Sequence, residues 1–91
     1  MFTISELREH IDSDCFDVLD ANDNTITLQS KITDHCWQLL NRGYDNNSSV
    51  YIYHTNYSEL EYRLQCFASD LKQALLFVKN FDSSIRKARY S

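Results

Sequence analysis

The sequence predicts an α+β domain: a short N-terminal helix, a small antiparallel sheet, and a long C-terminal helix packed on that sheet. Three observations carry this expectation. Thr3-Ile4-Ser5-Glu6 is a helix-capping box near the start. Two stretches, around Thr25–Gln29 and Val50–Thr55, alternate apolar and polar residues with the period of a half-buried strand. Leu60, Leu64, Phe67, Leu71, Ala74, Val78, Phe81 and Ile85 recur at alternating steps of four and three, the stripe of an amphipathic helix.

The first helix is expected to begin near Ile4. Phe2 and Leu7 are placed to clamp its entry as a hydrophobic staple, and Ile4, Leu7 and Ile11 are expected to share a face. After it, Phe16-Asp17-Val18-Leu19 reads as a strand that pairs with Ile26-Thr27-Leu28, extending towards Ile32, through the turn DANDN. A competing reading runs the helix on, because Ile4, Leu7, Ile11, Cys15 and Val18 also fit helical spacing.

Residues 33–42 are open between a short helix and a third strand. Thr33 is a candidate cap, Trp37 a candidate staple with Ile32, and Gly43 a left-handed stop. DNNSS at 45–49 reads as a loop. In the next strand, Val50, Ile52 and His54 face one way, and Tyr51, Tyr53 and Thr55 the other. Ser58-Glu59-Leu60-Glu61 forms a second capping box, with Tyr57 and Tyr62 as its staple, so the long helix is expected from Leu60 to Ile85. A break is expected near Asn80, where Asp82-Ser83-Ser84 offers a new cap.

The whole of 1–91 is read as one domain. Its length permits one modest core, and 43% hydrophobic residues is ordinary for a folded chain. One glycine and no proline argue against a glycine-rich phosphate loop. The opening MFTISELREH contains acids and no apolar run, so no secretion signal is expected. Cys15, Cys36 and Cys66 are then read as reduced thiols of a cytoplasmic protein. The longest apolar run, Ala74 to Val78, is far short of a membrane span.

No catalytic, cofactor or metal pattern is present. Asp20 to Lys31 places oxygen side chains at the first, third and fifth places of a calcium loop. It then puts Thr25 where glycine is needed and Lys31 where a bidentate glutamate belongs. The histidines and cysteines show no zinc-ligand spacing. Cys36 beside His35, or with His54, makes a thiolate–imidazole pair only if the fold brings the groups together. A non-catalytic chain without cofactor is therefore expected.

Charge is unevenly spread. Residues 1–61 carry eleven acids and three bases, and residues 62–91 two acids and six bases. Asp12, Asp14, Asp17, Asp20 and Asp23 form the acidic focus. Lys72, Lys79 and Arg86 recur every seven residues on the last helix. These charges either dock a partner or face water and each other across the fold. The docking reading assigns the acidic set to a larger protein with a basic surface, such as a nucleic-acid enzyme. Tyr51 and Tyr53 either pack under a helix or offer an exposed aromatic surface of the kind that dominates binding. Leu76 and Phe77 crowd apolar groups around the long helix, which is the pattern of a deep core or of a seam to a partner or a second copy. The alternative function is a small dimeric nucleic-acid-binding regulator that uses the basic stripe.

In layout and acidity the chain resembles small inhibitor proteins of phages and mobile elements, the anti-CRISPR kind. That resemblance implies stoichiometric blocking of a nucleic-acid enzyme, with acids standing in for phosphates, and assigns no residue roles.

Overall fold

The structure, a computed structural model, describes residues 2–41, 49–55 and 61–90, the last five by backbone course alone. The order is α1 (Ile4–His10), β1 (Phe16–Ala21), β2 (Thr25–Ser30), β3 (Cys36–Asn41), β4 (Val50–Thr55), β5 (Arg63–Ala68) and α2 (Leu71–Tyr90). The strands form one antiparallel sheet in sequential order, with β1 and β5 at its edges. This is the expected α+β layout.

Thr3 caps α1 as the capping box requires, its Oγ1 accepting from Glu6 N at 3.1 Å. Phe2 and Leu7 are both buried, consistent with the staple. Ile4 departs from the expected face and is 64% exposed. Seven residues give a helix barely two turns long, so only the Leu7 side reaches the sheet.

The hairpin forms and excludes the continued helix. Its turn is tighter than DANDN, because Asp20 and Ala21 belong to β1. Asn22 Oδ1 accepts from the backbone of Asn24 and Thr25, each at 2.9 Å, an Asx turn. Residues 36–41 are a strand and not a helix. The cap expected at Thr33 belongs instead to a turn in which Asp34 takes φ 63°, a left-handed conformation that aspartate tolerates. That turn ends β2 at Ser30, short of Ile32.

The largest correction lies before α2. The stripe expected from Leu60 is two elements. Leu64 and Phe67 lie on β5, and the helix begins at Leu71 behind Asp70, whose Oδ1 accepts from Gln73 N at 2.8 Å. The cap expected at Ser58–Leu60, with Tyr57, falls outside the described residues, as do Gly43 and most of the 45–49 loop. The helix also continues through Asn80 without the expected break.

Both helices cover one face of the sheet. Ile26 and Leu28 of β2, Trp37 and Leu39 of β3, and Ile52 of β4 point into this layer and are inaccessible to water. Leu71, Ala74, Leu75 and Val78 of α2 meet them. Full burial of each large side chain contributes about 1.5–3 kcal/mol. No helix among the described residues is long and apolar enough to cross a membrane.

A polar clamp sits inside this layer. Asp82, 4% exposed, receives Ser30 Oγ at 2.8 Å and Thr33 Oγ1 at 2.6 Å. Ser30 Oγ in turn accepts from the backbone N–H of Ile32 and Thr33, both at 3.1 Å. Thr33 Oγ1 accepts from His35 N at 3.3 Å. The carboxyl group thereby fastens α2 to the β2–β3 turn.

Asp82→Ala strands two buried hydroxyl groups, and stability is expected to fall by about 1–3 kcal/mol. Asp82→Asn offers one acceptor oxygen to two donors and is expected to recover only part of that loss. Urea unfolding midpoints of the three proteins check both expectations.

Candidate functional site

The helix-free face of the sheet is the candidate interface. Alternation and register decide which side chains occupy it. Phe16 is buried beneath the helices, so Asp17, paired with Gln29, projects to the other side. A bulge at Leu19 shifts the phase of β1, and Asp20, opposite Thr27, returns to the open face. Gln38 lies between Thr27 and Tyr53, and Leu40 between Thr25 and Tyr51. A second bulge, at Gln65, places both Leu64 and Phe67 on this face, opposite Tyr53 and Tyr51.

The result is an apolar and aromatic end and an acidic end on one surface. Tyr51 and Phe67 meet edge to face, with ring centroids 4.6 Å apart at 69°. Phe67 is nevertheless 60% exposed and Leu64 45% exposed. Asp17 and Asp20 stand on the edge strand at the far side, with threonine and glutamine side chains between. Among the described strand positions on this face there is no lysine or arginine. Lys31, just beyond β2, reaches Asp17 at 3.6 Å. An ion pair this exposed contributes at most about 1 kcal/mol.

The expected contact residues therefore divide. Asp17, Asp20, Tyr51 and Tyr53 share the open face. Asp23 is exposed in the β1–β2 turn, where its backbone oxygen accepts from Phe2 N at 2.8 Å. Asp12 and Asp14 lie in the turn before β1, where Asp12 Oδ1 accepts from Asp14 N at 3.1 Å. Asp12 also meets Lys79 of α2 at 3.2 Å. At that point the acidic and basic parts of the chain attract each other within the fold. The Lys79 hydrogen bond holds the Asp12 carboxyl below its ordinary value. Leu76 and Phe77 separate on α2: Leu76 is 49% exposed, while Phe77 is half-buried and packs on Phe81, with ring centroids 5.8 Å apart.

The fold separates Cys36 from the imidazoles. Cys36 stands one residue before the inward Trp37 and lies on the open side of the sheet. Its thiol lies by the Tyr62 hydroxyl, and burial pushes its pKa up, opposed in part by that hydrogen bond. Burial likewise raises Cys66. Both shifts work against thiolate formation. The imidazoles instead engage each other, with His35 Nδ1 2.8 Å from His54 Nε2 and ring planes 17° apart. Trp37 lies against His54, with centroids 4.9 Å apart. Among the described residues, no group of three or more His, Cys, Asp or Glu side chains is placed to hold a metal ion.

Leu64 and Phe67 are surface residues whose helical spacing hides them in an apparent buried stripe. The acids and the tyrosines are each conspicuous in the sequence, and only strand order and register bring them to a common face. Comparison with protein-family models, curated proteins and solved structures returns no match to this chain.

Lys79→Met is expected to return the Asp12 carboxyl towards its ordinary value of 3.8. The folded pKa is the depressed one. The pair's contribution is therefore complete above the unfolded carboxyl range and is lost as pH falls through the folded pKa. An NMR titration of Asp12 in both proteins reads the shift, and acid unfolding reads its loss.

Cys36 is expected to react with iodoacetamide at pH 8 more slowly than free cysteine, because less of it is thiolate. Mass-resolved alkylation of the folded protein checks this. Reaction faster than the free amino acid would contradict the environment described here.

Proposed function

We propose that the chain is a non-catalytic inhibitor or adaptor that docks a larger protein through the helix-free face of its sheet. The carrying observation is the co-location of Asp17 and Asp20 with Tyr51, Tyr53 and Phe67 on a face whose described strand positions carry no base. Aromatic side chains supply contact area at little entropic cost, and carboxylates steer a basic partner into register. The same acids repel nucleic acid, so a protein occupant is favoured over a stacked base. A partner with a basic groove, such as a nucleic-acid-processing enzyme, fits this chemistry. Such blocking would be anti-CRISPR-like in kind and would take place in the cytoplasm.

The runner-up is a small dimeric regulator that contacts nucleic acid through α2. Lys72 and Lys79 are exposed there, but Lys79 is already engaged by Asp12. That favours the protein-docking reading.

Affinity capture from the host, using wild type beside Asp17→Lys/Asp20→Lys and Tyr51→Ala/Tyr53→Ala, tests the proposal. The expected result is a basic protein retained by wild type, lost by both folded variants, and hindered by wild type from binding its nucleic acid. Retention unchanged by both variants would remove the face from the account. Direct, steeply salt-dependent binding of nucleic acid by the chain alone would favour the runner-up.

A further inference from the structure

We infer that the outer edge of β1 accepts an extended segment of the partner protein as a sixth strand, one whose side chains alternate apolar and basic. The inference rests on the docking reading above and adds how the contact is made.

The first ground is backbone phase. Lys31 N donates to Cys15 O at 2.7 Å, and Asn22 N to Thr25 O at 2.8 Å. Bonded and unbonded pairs alternate in an antiparallel ladder. Counting inward from each end, Asp17 and Asp20 bond to β2, while Val18 and Ala21 turn their N–H and C=O groups outward. Among the described residues, no strand borders the outer side of β1.

The second ground is a trough beside that edge. Two hollows of about 440 and 450 Å³ adjoin between α1 and β1 and share Ile4, Leu7 and Ala21. Ile4 and Val18, exposed at 64% and 43%, form apolar walls, and Arg8 and Lys31 also line the hollow beside Val18. Together the hollows follow β1 from Ser13 and Lys31 to Asn22 and Asp23.

The third ground is charge. A strand laid along β1 places its residues opposite Val18 and Ala21 over the apolar trough. Its residues opposite Asp17 and Asp20 lie on the open face, where the Asp20 carboxylate favours lysine or arginine and a basic residue opposite Asp17 competes with Lys31 for it. Acids and a bulge also discourage two copies of an edge from pairing with each other. Here they bar a second copy of this chain while matching a basic strand. The edge therefore selects its occupant.

The probe is an end-blocked peptide of about eight residues alternating valine and lysine, a common strand length. Two controls keep its composition, one in block order and one N-methylated at alternate amides. Titration is read by calorimetry and by amide exchange. The alternating peptide is expected to bind about tenfold more tightly than either control, and to protect the Val18 and Ala21 amides. Val18→Pro removes an outward N–H that the ladder does not use, and proline is tolerated at such edge positions. The variant should fold, by circular dichroism, and bind weakly. The N-methylated peptide gives the same information without altering the protein.

Three peptides binding within about twofold of one another would overturn strand addition while leaving acidic docking in place. No measurable binding of the alternating peptide would also overturn it. Equal binding of that peptide by Asp17→Lys/Asp20→Lys, together with unchanged capture of the partner, would remove the docking reading itself.

Discussion

The carboxyl group of Asp82 is the fixed point of this small fold. It is buried in a largely apolar helix–sheet layer, and two buried hydroxyl groups donate to it. Burying such a group without partners would cost several kcal/mol, so its position is tolerated only where Ser30 and Thr33 meet it. Those two residues flank a turn whose backbone they also bond. The contact therefore ties α2 to the turn that links β2 to β3.

With both helices on one side, no described helix covers the other side of the sheet. Five strands are enough to hide Trp37, Leu39 and Ile52 completely beneath the helices. Among the described residues the opposite face has no such cover, and its composition departs from plain polar solvation. The edge strands set that composition. Each has one bulge, and each bulge turns two residues spaced three apart onto the same face: Asp17 with Asp20 on β1, Leu64 with Phe67 on β5. The first pair makes the acidic end and the second the apolar end.

The same bulges explain which parts of the structure were legible in the sequence. The capped α1, the hairpin and β4 follow from local rules that hold here: a capping box, an Asx turn, and strict alternation. Residues 60–71 misled because a bulged strand imitates a helix. Leu64 and Phe67 are three apart and share a side, which is the helical pattern reached by another route. The competing helix through Val18 draws on the same ambiguity in β1. Asp70 followed by Gln73 was the available sign of the true helix start, and the longer stripe masked it. Asp82 was beyond reach for a different reason. Its partners lie 52 and 49 residues away, and no periodic pattern connects them. The candidate site was half legible. Asp17, Asp20, Tyr51 and Tyr53 were individually conspicuous, but their common face depends on strand order and on two phase shifts.

In the proposed function the helix-free face, and not the outer surface of α2, meets the partner. Hydroxyl-radical footprinting of the free chain and of its complex with the captured partner tests this most directly. Tyr51, Tyr53, Leu64 and Phe67 are expected to lose reactivity in the complex while Leu76 keeps it. Protection of Leu76 and Phe77 with the tyrosines left reactive would contradict it and move the interface to the helix.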